Sequence, residues 1–152
     1  MLLQPLAPFL QRVVDRLAAL DIFPRLPNHV LVNEYKPGQG IMPHTDGPLY
    51  TPVIATISLQ AHTVIDFQDA HGDAPRFSVL LQPRSLFLVA DALYTGLHGI
   101  AERTTDVLDE KVVNLHACKE VVVGQQLERG VRVSLTIRNV PKARAIVGLR
   151  RS

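Results

Sequence analysis

The segment VRVSLTIR, residues 131–138, alternates strictly between apolar and polar side chains. A period of two predicts a β-strand with one apolar and one polar face. The polar face carries Arg132, Ser134, Thr136 and Arg138. Two arginines and two hydroxyls are what a dicarboxylate pocket would need, because guanidinium pairs bidentately with carboxylate. At about 3.3 Å per residue the arginine Cα atoms lie roughly 20 Å apart, so they would reach one ligand from opposite ends. The alternative is a solvated outer face of an edge strand.

Short β-rich runs separated by turn residues fill most of the chain ahead of this segment. We predict strands at residues 30–35, 53–59, 63–67, 77–81, 85–89, 121–123 and 131–140, with turns that include residues 47–48 and 71–73. Residues 8–20 carry apolar side chains at helical spacing, which predicts one amphipathic helix packed on a sheet. A mainly β fold with a flanking helix favours a sandwich, a barrel or a jelly roll, and periodicity alone does not choose among them.

Length and composition predict a single domain. The 152 residues, 47% of them hydrophobic, suffice for one well-buried core. We divide the chain into a helical lead-in at 1–28, a β core at 29–141 and a basic tail at 142–152, which we expect to be a mobile end. The formal charge of +2 gives only a mild attraction for anionic partners such as nucleic acid.

Cysteine content and hydropathy indicate the compartment. The single cysteine, Cys118, excludes an internal disulfide and any cysteine-rich zinc site and suits a reducing environment. The N-terminus lacks the pattern of a secretory signal, and prolines interrupt the longest uncharged stretch, residues 47–65. We therefore expect a chain without membrane spans that resides in the cytoplasm, the nucleus or both.

The triplet His44-Thr45-Asp46 is a candidate metal-binding motif. In an extended strand, residues i and i+2 point to the same face, so an imidazole and a carboxylate would converge there. A histidine from a distant strand would complete a facial triad and leave three octahedral positions open. The following Gly47-Pro48 turn would place the ligands at a strand end, where loops form a pocket mouth. The alternative reading is a turn-stabilising pair.

Among the other histidines, His98 is the preferred third ligand. It stands in the sequence GLHG, whose small residues permit close approach of a metal and a cosubstrate. His62 and His116 are interpreted as ordinary polar-face or core histidines.

Taken in order, the run Asn33-Glu34-Tyr35, the triplet at 44–46, His98, and the Arg132 and Arg138 pair resemble the motif set of AlkB-type dioxygenases that use Fe(II) and 2-oxoglutarate. The resemblance covers nearly the whole chain and is strongest to the branch called AlkB homologue six. It implies a double-stranded β-helix of the jelly-roll type.

The resemblance also implies roles for individual residues. His44, Asp46 and His98 would bind Fe(II), and five residues would contact 2-oxoglutarate: Asn33, Tyr35, Arg132, Ser134 and Arg138. Arg132 would pair with the remote carboxylate and Arg138 would support the end nearer the metal. Ser134 stands where several relatives carry asparagine.

The implied chemistry is oxidation of an alkyl carbon by O2, with 2-oxoglutarate converted to succinate and carbon dioxide. On an N-methyl group the product would lose formaldehyde, which is oxidative dealkylation of a nucleic-acid base. Two rivals stay open: oxidation of a protein side chain, and a non-catalytic or uncoupled binding module that retains the motif residues.

Two features depart from the family pattern. Between His98 and Arg132 lie 33 residues, so residues 101–130 form an excursion whose role the sequence leaves open, as it does the oligomeric state. Only 32 residues precede Asn33, and the chain has no tryptophan. We therefore expect the lid that grips a base to be shortened, with few stacking platforms.

Overall fold

The computed structural model describes residues 2–68, 76–142 and 144–145. Its elements follow in the order β1 (Leu2–Leu3), α1 (Pro8–Ala18), β2 (His29–Tyr35), β3 (Ile41–His44), β4 (Val53–Gln60), β5 (Thr63–Gln68), β6 (Phe77–Leu81), β7 (Leu86–Ala90), a 3-10 helix (Asp91–Thr95), β8 (Leu97–Ile100), β9 (Thr105–Val107), a second 3-10 helix (Leu115–Ala117), β10 (Gln126–Glu128), β11 (Arg132–Arg138) and β12 (Arg144–Ala145). One α-helix and many short strands confirm the predicted mainly β fold. The turn expected at residues 71–73 lies outside the described residues.

Two four-stranded antiparallel sheets form the body of the fold. The major sheet has the order β2-β11-β4-β7, and the minor sheet has the order β3-β8-β5-β6. Apolar side chains from both sheets, among them Ile65, Phe67, Val89 and Ile100, pack between them. The chain passes repeatedly from one sheet to the other, which is the jelly-roll arrangement.

Helix α1 covers the outer face of the major sheet. Val14 and Leu17 on the helix pack with Ala55 of β4 and with Leu135 and Ile137 of β11. Because side chains alternate across a strand, the even-numbered residues of β11 face the other way, into the space between the sheets. The packing of the helix on a sheet confirms the prediction from its apolar stripe.

The excursion at residues 101–130 covers the outer face of the minor sheet. Leu108 and Val112 are buried there against Val64 of β5 and Leu80 of β6. Strands β9 and β10 pair with each other as an antiparallel ribbon within the excursion. The excursion therefore buries apolar surface on one side of the fold as α1 does on the other.

An ion-pair network holds the excursion in place. The carboxylate of Asp106 is fully buried, and it accepts hydrogen bonds from Nε and Nη2 of Arg129 at 2.8 and 2.7 Å and from Nε of Arg103 at 2.7 Å. Nη1 of Arg129 also donates to the carbonyl of Ala101, at 2.7 Å. The network thus ties the end of the excursion, next to β11, to its beginning.

The sequence predictions and the structure can be compared at several further places. Residues 121–123 do not form a strand: Val122 and Val123 are exposed and lead into a turn at Gly124, whose φ is +86°. Strands β3 and β8 were not predicted. In the predicted mobile tail, Arg144–Ala145 pair in parallel with Leu2–Leu3, while residues 143 and 146–152 lie outside the described residues. No helix in the described part of the chain is long and apolar enough to cross a membrane.

Candidate metal and cosubstrate site

A cavity opens between the inward faces of the two sheets. Its empty volume, counted to the open mouth, is about 690 Å³. All eight side chains singled out from the sequence line this cavity, namely Asn33, Tyr35, His44, Asp46, His98, Arg132, Ser134 and Arg138.

Three of these residues form a compact cluster at one end of the cavity. The ligand atoms of His44, Asp46 and His98 all lie within 4.8 Å of one another, and Nε2 of His98 is 3.4 Å from Oδ2 of Asp46. His44 and His98 are cross-strand partners in β3 and β8, which explains their proximity. Asp46 arrives differently from the prediction: β3 ends at His44, so the carboxylate reaches the cluster from the following loop and not from position i+2 of a strand.

The donor set suits a divalent metal such as Fe(II). Nδ1 of His44 lies 2.9 Å from the carbonyl oxygen of Met42. A carbonyl only accepts hydrogen bonds, so Nδ1 carries the proton and Nε2 keeps a free lone pair. Two imidazoles and one carboxylate are the donors of a facial triad with open positions.

The Asp46 carboxylate carries the negative charge that a metal ligand needs. Burial alone would raise the pKa of Asp46, but its contacts with His98 and the positive charge of Arg138 outweigh burial and leave the pKa below its usual value. The carboxylate is therefore ionised, as metal coordination requires.

Gly99, next to His98, has a structural reason to be glycine. A Cβ at this position would lie 2.8 Å from the carbonyl oxygen of Ile41 and 3.0 Å from the backbone nitrogen of Pro43. The register between β3 and β8 shifts at this point. Glycine is therefore needed here because the backbone of β3 lies too close for a side chain. The sequence had suggested a different reason, the close approach of a metal and a cosubstrate.

Arg132 lies deep in the cavity, and none of the described carboxylates pairs with it. The residue is 3% exposed. Its Nη2 donates to Oγ of Ser58 at 3.0 Å, its Nη1 donates to Oγ of Ser134 at 3.2 Å, and its Nε has no partner. Burial lowers the pKa of Arg132 to about 10, so the guanidinium is still charged at pH 7. Among the described residues no carboxylate forms an ion pair with it.

A buried charge without a counterion is costly, on the order of several kcal/mol. The orphaned Nε and the two hydroxyl contacts leave this guanidinium ready for a carboxylate from outside the chain. The site therefore fits a carboxylate cosubstrate such as 2-oxoglutarate.

Strand pairing aligns the other candidate cosubstrate residues with Arg132. Tyr35 is its cross-strand partner on β2, and the Arg132 Cζ atom lies 5.9 Å from the centre of the Tyr35 ring. Asn33 stands opposite Ser134, and its amide donates to Oγ1 of Thr136 at 3.5 Å. Polar groups of β2 and β11 thus form one continuous wall of the cavity.

Arg138, at the far end of β11, reaches the metal cluster. Its Nη2 donates to Oδ1 of Asp46 at 2.5 Å, and its Cζ lies 4.6 Å from the centre of the Tyr50 ring. The two arginines therefore stand at opposite ends of the cavity.

Sequence reasoning missed several residues of this site. Thr56 lines the cavity and Ser58 contacts Arg132, both from β4. Their spacing of two residues in the apolar run VIATISLQ places both hydroxyls on one face, so a signal was present. Tyr50 lies in the loop between β3 and β4 and Tyr94 on the 3-10 helix Asp91–Thr95, and no local sequence pattern marks either as a contact with the site.

The histidines interpreted as ordinary residues lie outside the cluster. Nε2 of His62 is 3.4 Å from Oδ2 of the buried Asp106, in the network that fixes the excursion. His116 is exposed on the second 3-10 helix.

Comparison with known proteins places this architecture in a family. A family model described as the 2OG-Fe(II) oxygenase superfamily matches residues 2–138. The chain is 46% identical over 155 residues to the probable RNA/DNA demethylase ALKBH6 of Danio rerio, a match that covers 93% of this chain and 66% of that protein. It is 31% identical over 136 residues to the uncharacterized protein L905 of Acanthamoeba polyphaga mimivirus. This match covers 88% of this chain and 58% of the viral protein.

The solved structure of OsALKBH1 shares the fold, with a TM-score of 0.56 and 16% sequence identity over 88% of this chain and 64% of that one. The chain spans about two thirds of the length of ALKBH6 and somewhat less of the viral protein. The match of the family model over residues 2–138, together with the likeness to ALKBH6, shows that the chain belongs to the 2OG-Fe(II) oxygenase superfamily and is of the AlkB type.

Proposed function

We propose that this domain is an Fe(II)- and 2-oxoglutarate-dependent oxygenase that removes alkyl groups from nucleic-acid bases. One observation carries the proposal. A single cavity holds a cluster of two histidines and an aspartate at one end and, at the other, a buried guanidinium that pairs with no carboxylate among the described residues. Such a cavity offers both a metal site with open positions and an anchor for a dicarboxylate that would reach the metal.

In this proposal His44, Asp46 and His98 hold the metal. When bound, Fe(II) together with O2 and 2-oxoglutarate supplies the oxidising power to hydroxylate a C–H bond. Because Nδ1 of His44 donates to the carbonyl oxygen of Met42, Nε2 is the nitrogen left to bind the metal. The contact with His98 and the charge of Arg138 together hold the pKa of Asp46 below its usual value despite burial, and the Tyr50 ring covers the guanidinium of Arg138.

Arg132 would receive the remote carboxylate of 2-oxoglutarate. The Ser58 and Ser134 hydroxyls fix the guanidinium plane, so the fork is preorganised before the cosubstrate arrives. Asn33 and Tyr35 on β2 would flank the bound molecule. Pairing the buried guanidinium with a carboxylate would also remove the cost of its uncompensated charge.

The substrate class rests on relatives and on the cavity mouth. ALKBH6 of Danio rerio is a probable RNA/DNA demethylase. Over 84 residues the chain is also 37% identical to the tRNA (carboxymethyluridine(34)-5-O)-methyltransferase alkbh8 of Xenopus tropicalis, covering 13% of that protein. At the cavity mouth Leu31 and Ile41 are 40% and 38% exposed and offer apolar surface to the flat face of a base. Hydroxylation of an N-methyl group there would give formaldehyde and the unmethylated base.

The test measures binding and turnover separately. The apo-protein is titrated anaerobically with Fe(II) and then with 2-oxoglutarate, after which O2 is admitted and succinate and formaldehyde are quantified. Substrates are single-stranded DNA and RNA oligonucleotides with N-methylated bases, and unmethylated copies serve as controls. We expect O2-dependent succinate, with formaldehyde only from a methylated strand.

Two other results would contradict the proposal. Binding of Fe(II) and 2-oxoglutarate without succinate would identify a non-catalytic module. Succinate without formaldehyde from any methylated strand would remove nucleic acid as the substrate of this domain and favour a protein side chain or uncoupled turnover.

A further inference from the structure

We propose that Tyr94 is a positioning residue that sets the place of Asp46 relative to His98 and thereby the affinity of the metal site. The inference rests on the metal site of the proposed function. It concerns a side chain that contacts none of the three candidate ligands through a hydrogen bond of its own.

Asp46 is the one candidate ligand with no strand to hold it. His98 lies in β8, which pairs with β3 on one side and β5 on the other, and His44 ends β3. Asp46 lies in the ligand loop, residues 45–52, which joins β3 to β4. The position of its carboxylate therefore depends on the contacts of this loop.

Tyr94 makes such a contact at the residue that follows Asp46. Its hydroxyl donates to the carbonyl oxygen of Gly47 at 2.6 Å, and the carbonyl oxygen of Tyr50 lies 3.1 Å away, so one proton is shared between two acceptors in the loop. Within the part of the chain that the structure describes, no other side chain donates to a carbonyl of the ligand loop. The distal end of the loop is held separately, where Oγ1 of Thr51 donates to the side-chain oxygen of Asn139 at 2.7 Å.

The position of Tyr94 in the chain makes this contact a link between two ligands. Tyr94 lies on the 3-10 helix Asp91–Thr95, four residues ahead of His98. Its hydroxyl therefore joins the segment that leads into one ligand to the peptide that follows another. Arg138 contacts the Asp46 carboxylate itself, whereas Tyr94 contacts the peptide that follows Asp46. A tyrosine side chain has only two torsions, so its hydroxyl holds that peptide at a defined position.

The hydroxyl is a stable donor. Burial, followed by the negative charge of Asp46, raises the pKa of Tyr94, so it keeps its proton at neutral pH. Loss of this hydroxyl would leave the ligand loop held at Thr51, by the Tyr50 ring against Arg138 and through the Asp46 carboxylate, with no side-chain hydrogen bond to the peptide that follows Asp46 among the described residues.

The experiment compares Tyr94→Phe with Thr95→Val. Thr95 is exposed on the same 3-10 helix, and its hydroxyl donates to the carbonyl of Ala92 at 3.1 Å without touching the ligand loop. Affinity for Co²⁺ is measured by calorimetric titration of each apo-protein, and amide hydrogen exchange is followed over residues 45–52. For Tyr94→Phe we expect Co²⁺ affinity to fall about tenfold, at the low end of losses for groups that orient metal ligands. Exchange in the ligand loop should be faster, with both properties unchanged in Thr95→Val.

Either of two results would overturn the role of Tyr94 while leaving the metal site intact: parent affinity for Co²⁺ in Tyr94→Phe, or an equal loss in Thr95→Val, which would assign the effect to the helix. A parent chain that fails to bind Co²⁺ would overturn the metal site of the proposed function, and the role of Tyr94 with it. Retained circular dichroism and melting temperature in both variants show that the comparison concerns folded protein.

Discussion

Arg138 donates a hydrogen bond from Nη2 to Oδ1 of Asp46, which lies 92 positions earlier in the sequence. The bond joins β11, whose polar face also presents Arg132, to the loop that completes the metal cluster. In the sequence, the histidine and aspartate motif and the strand with the two arginines are separate patterns. In the structure, both line the same cavity.

Replacing Asp46 by alanine should remove metal binding. The variant loses the only carboxylate of the cluster, and we expect Co²⁺ affinity to fall by more than about a hundredfold, beyond the range seen when a group that merely orients a ligand is lost. Asp15→Ala, which removes an exposed carboxylate on α1, is the control. Titration calorimetry on the apo-proteins makes the comparison, and equal affinity in the two variants would exclude Asp46 as a ligand.

Replacing Arg132 by lysine should weaken 2-oxoglutarate binding and leave metal affinity nearly unchanged. An ammonium keeps the charge but loses the fork that Ser58 and Ser134 orient. The expected loss is about 1 to 3 kcal/mol, the range for a hydrogen bond to a charged group. Anaerobic titration with 2-oxoglutarate measures it, and Arg25→Lys, at an exposed position, is the control. Tight cosubstrate binding by Arg132→Lys would exclude the proposed carboxylate anchor.

Much of the site could be predicted because its residues obey strand periodicity. The alternation in β11 separated the face that lines the cavity from the face that packs on α1, and the runs at 30–35 and 53–59 form strands as predicted. That these two strands flank β11 is seen only in the structure. Strands β4 and β11 bury one face against α1, and β2 adds the partly buried Val30 to the same cluster, so apolar residues mark these faces in the sequence.

The parts that could not be predicted depend on contacts that no local pattern records. Strands β3 and β8 have four residues each, and Pro43 and Gly99 within them are poor strand formers. These strands form because they pair with each other and place His44 beside His98. Conversely, the valines at 121–123 have high strand propensity, yet they pair with no strand in the described part of the chain and Val122 stays 67% exposed.

The excursion should be essential for stability. Within the excursion, Leu108 is fully buried against the minor sheet, whereas the neighbouring Val107 is 49% exposed. Leu108→Ala should lower the free energy of unfolding by about 2 to 5 kcal/mol, as for other buried leucines, because it leaves a cavity. Val107→Ala should cost well under about 1 kcal/mol. Urea unfolding of both variants gives the comparison, and a small loss in Leu108→Ala would mean that the excursion packs only loosely on the sheet.

The Asp106 carboxylate should make the stability of the fold depend on pH in the acid range. Burial alone would raise the pKa of Asp106, but its contact with His62 and the hydrogen bonds and charge of Arg129 outweigh burial and hold the pKa far below its usual value. In the unfolded chain the same group titrates near pH 3.9. The stabilisation is therefore fully present above about pH 4, and it is lost as the pH falls below that value because the unfolded chain then takes up a proton that the folded chain does not.

Asp106→Asn isolates this contribution because an amide does not titrate. At pH 7 the variant should be less stable than the parent by about 3 to 5 kcal/mol, since the buried Arg129 loses its counterion. Urea unfolding repeated at pH 7, 5 and 3 should show this difference shrinking only at the lowest pH. Glu110→Gln removes an exposed carboxylate of the same excursion and should track the parent at every pH. If the deficit of Asp106→Asn at pH 3 equalled that at pH 7, the charge of Asp106 would contribute nothing, and the network would hold the excursion through hydrogen-bond geometry that the amide fails to reproduce.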